Sequence, residues 1–341
     1  MNIYEKLPLP VALIYGGAGA EHEVSVQGAK YVLPLLEASG LSVIPVLIDK
    51  NGDWYIEVRD GGQKPTFPVR LRRKSGLLCD GEILEVSAAL PLLHGDFGED
   101  GTVQGALDTA GIPYVGASVA ASALCLDKIN TKIIAEGLHI PTVSWVAAET
   151  DTSEEEVIRL AEERLGYPMF IKPACLGSSV GAEPILCRNE LLPAIKRARG
   201  YGRVLIEKML TGIRELEVAF FEGCGKRLFS HPGEIKAHGF YDYNEKYSKN
   251  SQAEIITRAE LDSDTANRIR DYADRLARGV SLRQIARLDF FLCEGEIYFN
   301  EINTMPGFTR GSLYPKMMES EGISPKELLF RLVTCAAGRR L

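Results

Sequence analysis

Along this chain, apolar runs of strand length alternate with stretches whose apolar positions recur at helical spacing, the signature of layered α/β structure. The first unit reads as a strand at 11–15, a glycine-rich turn, a helix running to about Ala38 and a strand at 42–48. A short apolar run at 89–93 and a helix from Thr102 to about Thr109 follow. The segment Gly-Ile-Pro-Tyr-Val-Gly, ending at Gly116, is rich in turn formers and marks a first boundary. The middle unit predicts helix 119–137, strand 143–147, helix 153–165, strands 168–173 and 182–187, helix 189–199 and strand 203–209. A third unit opens with adjacent strands at 212–222 and 227–236. It continues with helix 263–279, strands 285–292 and 297–303, and helices near 311–319 and 324–336. The expected division is therefore 1–116, 117–210 and 211–341.

One stretch breaks the pattern. Residues 236–253, KAHGFYDYNEKYSKNSQA, are polar and hold no sustained helix or strand period. A connection that long inside a compact domain is either functional or disordered, and Phe240, Tyr241, Tyr243 and Tyr247 argue against plain disorder. The expectation is an ordered or closable lid.

Composition narrows the class. Of 341 residues, 45% are apolar and 25% charged, the mixture of a soluble globular protein with room for two or three cores. No uncharged apolar run reaches the length of about 18 residues that spans a membrane. The run Val11 to Tyr15 is too short for a signal-peptide core. The seven cysteines are scattered and never spaced as CxxC, which suits reduced thiols in the cytoplasm and argues against a zinc site or a disulfide framework. A net charge of −7 makes a dedicated nucleic-acid binder unsuitable, because phosphate neutralisation needs clustered Lys and Arg.

The strongest chemical signal is the segment 286–303, ARLDFFLCEGEIYFNEIN, two strand-like runs around Glu294-Gly295-Glu296. A three-residue turn centred on Gly295 pairs 289 with 301 and 287 with 303. The two-residue period of a strand then puts Arg287, Asp289, Glu301 and Asn303 on one face and Leu288, Phe290 and Leu292 on the other. Two carboxylates and an amide oxygen on rigid strands make a hard oxygen site suited to Mg²⁺ between nucleotide phosphates. A neighbouring arginine neutralises developing oxyanion charge. The competing reading is a solvated sheet face whose ion pairs are worth about 0–1 kcal/mol each. The segment TMPGFTRGS favours the site, since Pro306 and Gly307 place a tight turn directly after the ligands.

Two glycine-rich stretches carry weaker signals. Gly16-Gly17-Ala18-Gly19 follows a strand and precedes a helix, but His22 stands where a dinucleotide fingerprint needs glycine, and Glu21 would repel a pyrophosphate. A carboxylate there suits a ligand ammonium group; alternatively Glu21 or Glu23 only complements the helix dipole. Gly177-Ser178-Ser179-Val180-Gly181 joins two predicted strands and is not a Walker loop, yet such a hairpin drapes N–H and hydroxyl groups over phosphates. Lys172 ends the strand feeding it, and Lys128 lies in the second turn of the predicted helix 119–137.

At this point the residues resemble a known family. The segments GGAGAEHEVS (16–25), LLHGDFGEDGTVQG (92–105), DKINTK (127–132), FIKPACLGSSVG (170–181), LIEKML (205–210), FYDYNEKY (240–247), ARLDFFL (286–292) and NEINTMPGFTRGSLYP (300–315) follow one another as in D-alanine–D-alanine ligases. The resemblance runs along nearly the whole chain. It implies the ATP-grasp fold: an N-terminal Rossmann-like α/β domain followed by two ATP-grasp α+β domains.

The resemblance also implies roles. Lys128 and Lys172 hold ATP phosphates under Ser178 and Ser179. Glu207, Lys208 and Leu210 line the adenine pocket, and Glu215 takes the ribose hydroxyls. Asp289, Glu301 and Asn303 bind two Mg²⁺ or Mn²⁺ ions. Glu21 pairs with the ammonium of the first D-alanine, with His94 beside its carboxylate. Arg287 and the Gly307 N–H form an oxyanion hole. Ser312 and Leu313 receive the second substrate, with Lys246 and Tyr247 from the lid, and a Glu21–Tyr247–Ser178 chain is the candidate proton path. Arg310-Gly311 departs from the family's common pattern at the rim of that second pocket. The implied activity is ATP-dependent formation of D-alanyl-D-alanine through an acyl phosphate for peptidoglycan precursors, in the cytoplasm, by a homodimer that needs neither membrane nor nucleic acid. The alternatives are a D-alanine–D-serine or D-lactate ligase of the same fold, and a nucleotide-binding protein that has lost catalysis.

Overall fold

In the computed structural model, which describes residues 7–57, 66–73, 76–177, 180–223, 225–236 and 254–338, the first apolar run forms β1 (Val11–Gly16), buried at every position. A strand with no solvent-facing side needs cover on both faces. It pairs in parallel with β2 (Val43–Ile48) and β7 (Ala88–Leu92), and α1 (His22–Ala38) makes the crossover to β2. Beyond β2 the sheet continues through β3 (Trp54–Glu57), β4 (Thr66–Arg72), β5 (Gly76–Cys79) and β6 (Glu82–Leu84), all antiparallel. The sequence pattern carries no prediction for these four strands. They are short, Pro68 removes an N–H donor from β4, and neighbouring strands supply the pairing that their own period does not specify.

The predicted helix 119–137 is two helices. After α2 (Thr102–Ala110) come α3 (Val119–Leu126) and α4 (Lys128–Gly137), divided by Asp127 in extended conformation. The Asp127 carboxylate accepts from the N–H groups of Ile129 and Asn130, which satisfies the start of α4. Lys128 thus opens a new helix instead of lying in the second turn of a longer one.

The second sheet has the order β10-β9-β11-β8, from β8 (Trp145–Ala148), β9 (Met169–Pro173), β10 (Glu183–Ile185) and β11 (Val204–Lys208). Its apolar face packs on α5 (Glu154–Arg164) and α6 (Arg188–Arg199).

The third sheet runs β15-β14-β12-β16-β17, with β13 also on β12. Its strands are β12 (Arg214–Gly223), β13 (Lys226–Phe229), β14 (Gly233–Lys236), β15 (Glu254–Ile256), β16 (Ile285–Cys293) and β17 (Glu296–Asn303). The single strand expected at 227–236 is interrupted at Ser230–Pro232, where Pro232 has no N–H to donate. Even-numbered residues of β12 and β16, such as Leu216, Val218, Leu288 and Phe290, pack against α7 (Ser263–Gly279) in one core. That helix presents Ala266, Ile269, Ala273 and Leu276 at helical spacing. Odd-numbered residues face the other way. At one end Phe221 and Ile285 join a core with α1, α8 (Leu313–Ser320) and α9 (Pro325–Ala337), which ties this sheet to the first. At the other end the odd face carries Glu215, Glu217, Arg287 and Asp289 into a cleft.

The hairpin places the expected residues together by a different route. Arg287 pairs with Asn303 and Asp289 with Glu301, as predicted, but Cys293 pairs with Glu296, so the turn has two residues and not three. Glu294 and Gly295 both have positive φ (51° and 84°), the conformation of a two-residue hairpin turn that follows the strand twist. The missing residue is made up by a bulge beside Asp289, where Phe290 pairs with Phe299 and Asn300 is the extra residue. Phe299 and Ile302 enter the core, so Asn300 and Glu301 both reach the cleft.

Deleting Asn300 leaves every other pair of this hairpin in register. The deletion variant should fold, with a stability loss of ~1 kcal/mol for the lost contacts. Thermal unfolding followed by circular dichroism checks this, and loss of the cooperative transition would overturn the bulge assignment.

Candidate active site

Two clefts open on the polar end of the third sheet and share a wall made of Gly177, Glu217, Ile235, Arg287 and Glu301. The larger, about 1400 Å³, lies between the second and third sheets. The smaller, about 300 Å³, reaches Glu21, His94 and Glu99 on one side and Asn303, Gly307, Ser312 and Leu313 on the other.

In the larger cleft the lysines are held by carboxylates. Lys128 Nζ donates to the Leu176 carbonyl at 2.7 Å and lies 3.3 Å from Glu301. Lys172 Nζ sits 2.7 Å from Glu207 and 3.2 Å from the Asn300 amide oxygen. The second Glu207 oxygen binds Lys132, fully buried, at 2.6 Å. Burial alone would raise the Glu207 carboxyl; Lys132 and Lys172 overcome it and hold the group down at about 2. The Lys208 amine turns away to the Gly166 and Tyr167 carbonyls, so its backbone rather than its charge is offered to a ligand. Leu210 and Glu215 line the same cleft.

Arg287 stands at the junction. Its guanidinium forks onto Asp289 at 2.7 and 2.6 Å, and Nε lies 3.2 Å from Glu217. These carboxylates, with Glu301, hold the buried guanidinium well above its ordinary pKa against the desolvation that works the other way. Among the described residues no group of three or more His, Cys, Asp or Glu side chains is arranged as a metal site. The expected donors are two carboxylates and an amide. Asp289 and Glu301 face each other across the hairpin, each already beside a cation, so positive charge belongs at this spot.

In the smaller cleft Glu21 is buried and stands at the N-cap of α1 with no capping hydrogen bond from its side chain, whereas Glu23 is exposed and pairs with Lys50. His94 Nδ1 lies 3.1 Å from the Met305 carbonyl, and Glu99 accepts from the N–H groups of Gly95 and Met305. Burial, then the charge of Glu21, raises the Glu99 carboxyl to about 7. Ser312 Oγ accepts from Thr309 N–H at 2.9 Å, closing the turn 309–312 that follows Gly307, and Leu313 is buried at the start of α8. Ser178, Ser179, Lys246, Tyr247 and the expected lid lie outside the described residues.

The sequence profile described as "D-ala D-ala ligase N-terminus" matches residues 10–117, and that described as "D-ala D-ala ligase C-terminus" matches residues 134–334. The chain belongs to the D-alanine–D-alanine ligase family. The D-alanine–D-alanine ligase of Treponema pallidum is 36% identical over 361 positions, covering 96% of this chain and 88% of the relative. That of Deinococcus radiodurans is 38% identical over 346 positions, covering 97% and 99%. Among solved structures, the D-alanyl-alanine synthetase A of Vibrio cholerae matches with a TM-score of 0.88 at 36% identity, over 97% of this chain and 99% of that one. The VanG D-Ala:D-Ser ligase of Enterococcus faecalis matches at 0.87 and 32%, over 97% and 100%. The fold is therefore the ATP-grasp fold of this family, and no helix among the described residues is long and apolar enough to cross a membrane.

Sequence reasoning missed Lys132, Glu217, Asn300 and Glu99. Two had a local signal: Lys132 is one helical turn after Lys128, and Glu217 is one strand period after Glu215. Asn300 depends on the bulge, and Glu99 on two loops brought together by folding.

Glu207→Gln should leave Lys132 buried beside a neutral amide and lower stability at neutral pH by ~3–5 kcal/mol. The Glu207 contribution is present in full above the ordinary carboxylate value of 4.5 and is lost as pH falls toward 2. The variant should therefore also lose that part of the acid dependence. Urea unfolding across this range measures both effects.

Proposed function

We propose that the chain joins two D-alanines using ATP, through an acyl phosphate. The observation that carries this reading is the shared wall: Arg287, Glu217 and Glu301 line both clefts, so a phosphate in one meets a carboxylate in the other. A carboxylate is a poor electrophile, and transfer of the γ-phosphoryl group makes it a good one. A carboxylate oxygen of the first D-alanine bonds to phosphorus as the bridging bond to ADP breaks. The second amine, having lost its proton, attacks the carbonyl carbon, and inorganic phosphate leaves with the bonding electrons.

The residues divide this work. Glu21 holds the first ammonium group, and His94 stands beside its carboxylate. Lys128 and Lys172 orient the phosphates, and Glu207, Lys208, Leu210 and Glu215 receive the nucleoside. Asp289, Glu301 and Asn303 would hold two divalent ions, which neutralise phosphate charge when bound. Arg287 and the Gly307 N–H stabilise the tetrahedral oxyanion, where loss of one donor typically removes about 2.7–4 kcal/mol. Ser312 and Leu313 meet the second substrate, with Lys246, Tyr247, Ser178 and Ser179 as the family likeness implies. The availability of ATP places the activity in the cytoplasm.

D-Alanine is the preferred nucleophile in this reading. Leu313 is apolar and buried beside the second pocket and gives no partner to a serine hydroxyl. An unmet hydroxyl there costs about 1–3 kcal/mol, roughly a tenfold to hundredfold bias. Phosphate release from ATP should require D-alanine and disappear in Glu301→Gln. The ratio of kcat/KM for D-alanine over D-serine should exceed about ten. A ratio below one would reverse the assignment and direct attention to Arg310, and release independent of either amino acid would sink the ligase reading.

A further inference from the structure

Glu217, Asp289 and Glu301 form one row across three adjacent strands, since Glu217 pairs with Asp289 on β16 and Asp289 with Glu301 on β17. Their side chains emerge on the same face of the sheet. Lys128 lies beside Glu301 at one end of the row, and Arg287 lies over the other two members. Both Asp289 oxygens are engaged by this arginine, at 2.7 and 2.6 Å. Glu217 Oε2 makes an ion-pair contact of 3.2 Å with the same Nε, which donates its hydrogen bond to Asp289.

That arrangement conflicts with the proposed function, on which this inference rests. Asp289 has two duties there: it anchors Arg287, and it serves as a metal ligand. A divalent cation at Asp289 binds the oxygens that the guanidinium engages, and it repels the guanidinium as a like charge. Arg287 is itself buried, and a buried guanidinium without a carboxylate partner is strongly unfavourable. Another anchor must therefore stand within reach.

We infer that Glu217 is the positioning residue that holds Arg287 in place when a divalent ion takes Asp289. It is buried, it already contacts Nε, and it lines both clefts, so it can retain the guanidinium at their junction. The register fixes it opposite Asp289, which makes the exchange a short movement of the arginine head with no backbone shift. Glu217 acts through Arg287 and does not itself ligate the ion.

The test is Mn²⁺ binding to the full chain in the presence of a non-hydrolysable ATP analogue, read as the electron paramagnetic resonance signal of free Mn²⁺. Glu217→Gln should return Arg287 to Asp289 and weaken Mn²⁺ binding about tenfold, the size of one lost charge-assisted contact. Glu217→Asp, which keeps the charge on a shorter arm, should lie between. In an Arg287→Met background Asp289 is free for the ion, and Glu217→Gln should then change Mn²⁺ affinity less than twofold. That background also removes the buried cation that a neutral partner destabilises in the single variant. Unchanged affinity in Glu217→Gln overturns the inference, as does a tenfold loss that persists without Arg287, which would make Glu217 act on the ion directly. If the unaltered protein binds no Mn²⁺ with the nucleotide analogue, the metal-dependent ligase reading itself fails.

Discussion

Charge compensation among the buried side chains of the cleft is the constraint on which the site depends. Glu207, Glu217, Asp289 and Glu301 converge there, and Lys128, Lys132, Lys172 and Arg287 lie against them. Isolated charges at such burial are not tolerated, so each carboxylate is a condition for its cation and the reverse. The pairs on the cleft wall differ in purpose from the pair behind it. Lys132 is sealed behind Glu207, which also holds Lys172, whereas Lys128–Glu301 and Arg287–Asp289 border the space a ligand would enter.

This balance shapes how a charged ligand enters. A nucleotide alone attracts the lysines and leaves carboxylates uncompensated; a divalent ion alone does the opposite. Phosphates and metal arriving together replace both halves of each wall pair, and the net charge of the cleft changes least. The smaller cleft is lined by Glu21, His94 and Glu99 and meets the larger one at an arginine. In the proposed function a transferred phosphoryl group crosses from one to the other at that point.

The backbone that carries these charges is stiff for identifiable reasons. The third sheet is packed against α7 through one face, which fixes the parity of β12 and β16. The β17 bulge then puts two consecutive residues on the cleft side, so Asn300 supports Lys172 while Glu301 faces Asp289. Met305 is gripped by the first unit through its carbonyl at His94 and its N–H at Glu99, which joins the small cleft to the Asp289–Glu301 hairpin.

Much of this was legible in the residues themselves. The strand and helix periods located α7 to the residue, most elements of the second and third sheets within a few positions, and the pairing of Asp289 with Glu301. Period and turn chemistry are local, so the chain states them without help from distant neighbours. The eight motifs, six to sixteen residues long, likewise carry the family likeness without any geometry. Tertiary structure decided the rest. Whether 119–137 is one helix depended on Asp127 capping a second one, and the strands between Trp54 and Leu84 exist because an edge of a sheet was there to receive them. The turn at Gly295 was misjudged, and the bulge compensated, because register answers to the core on the far face and not to the turn alone. Glu217, Lys132 and Glu99 are ordinary charged residues in the sequence. Only folding removed them from water, and only then did burial require that each have a partner.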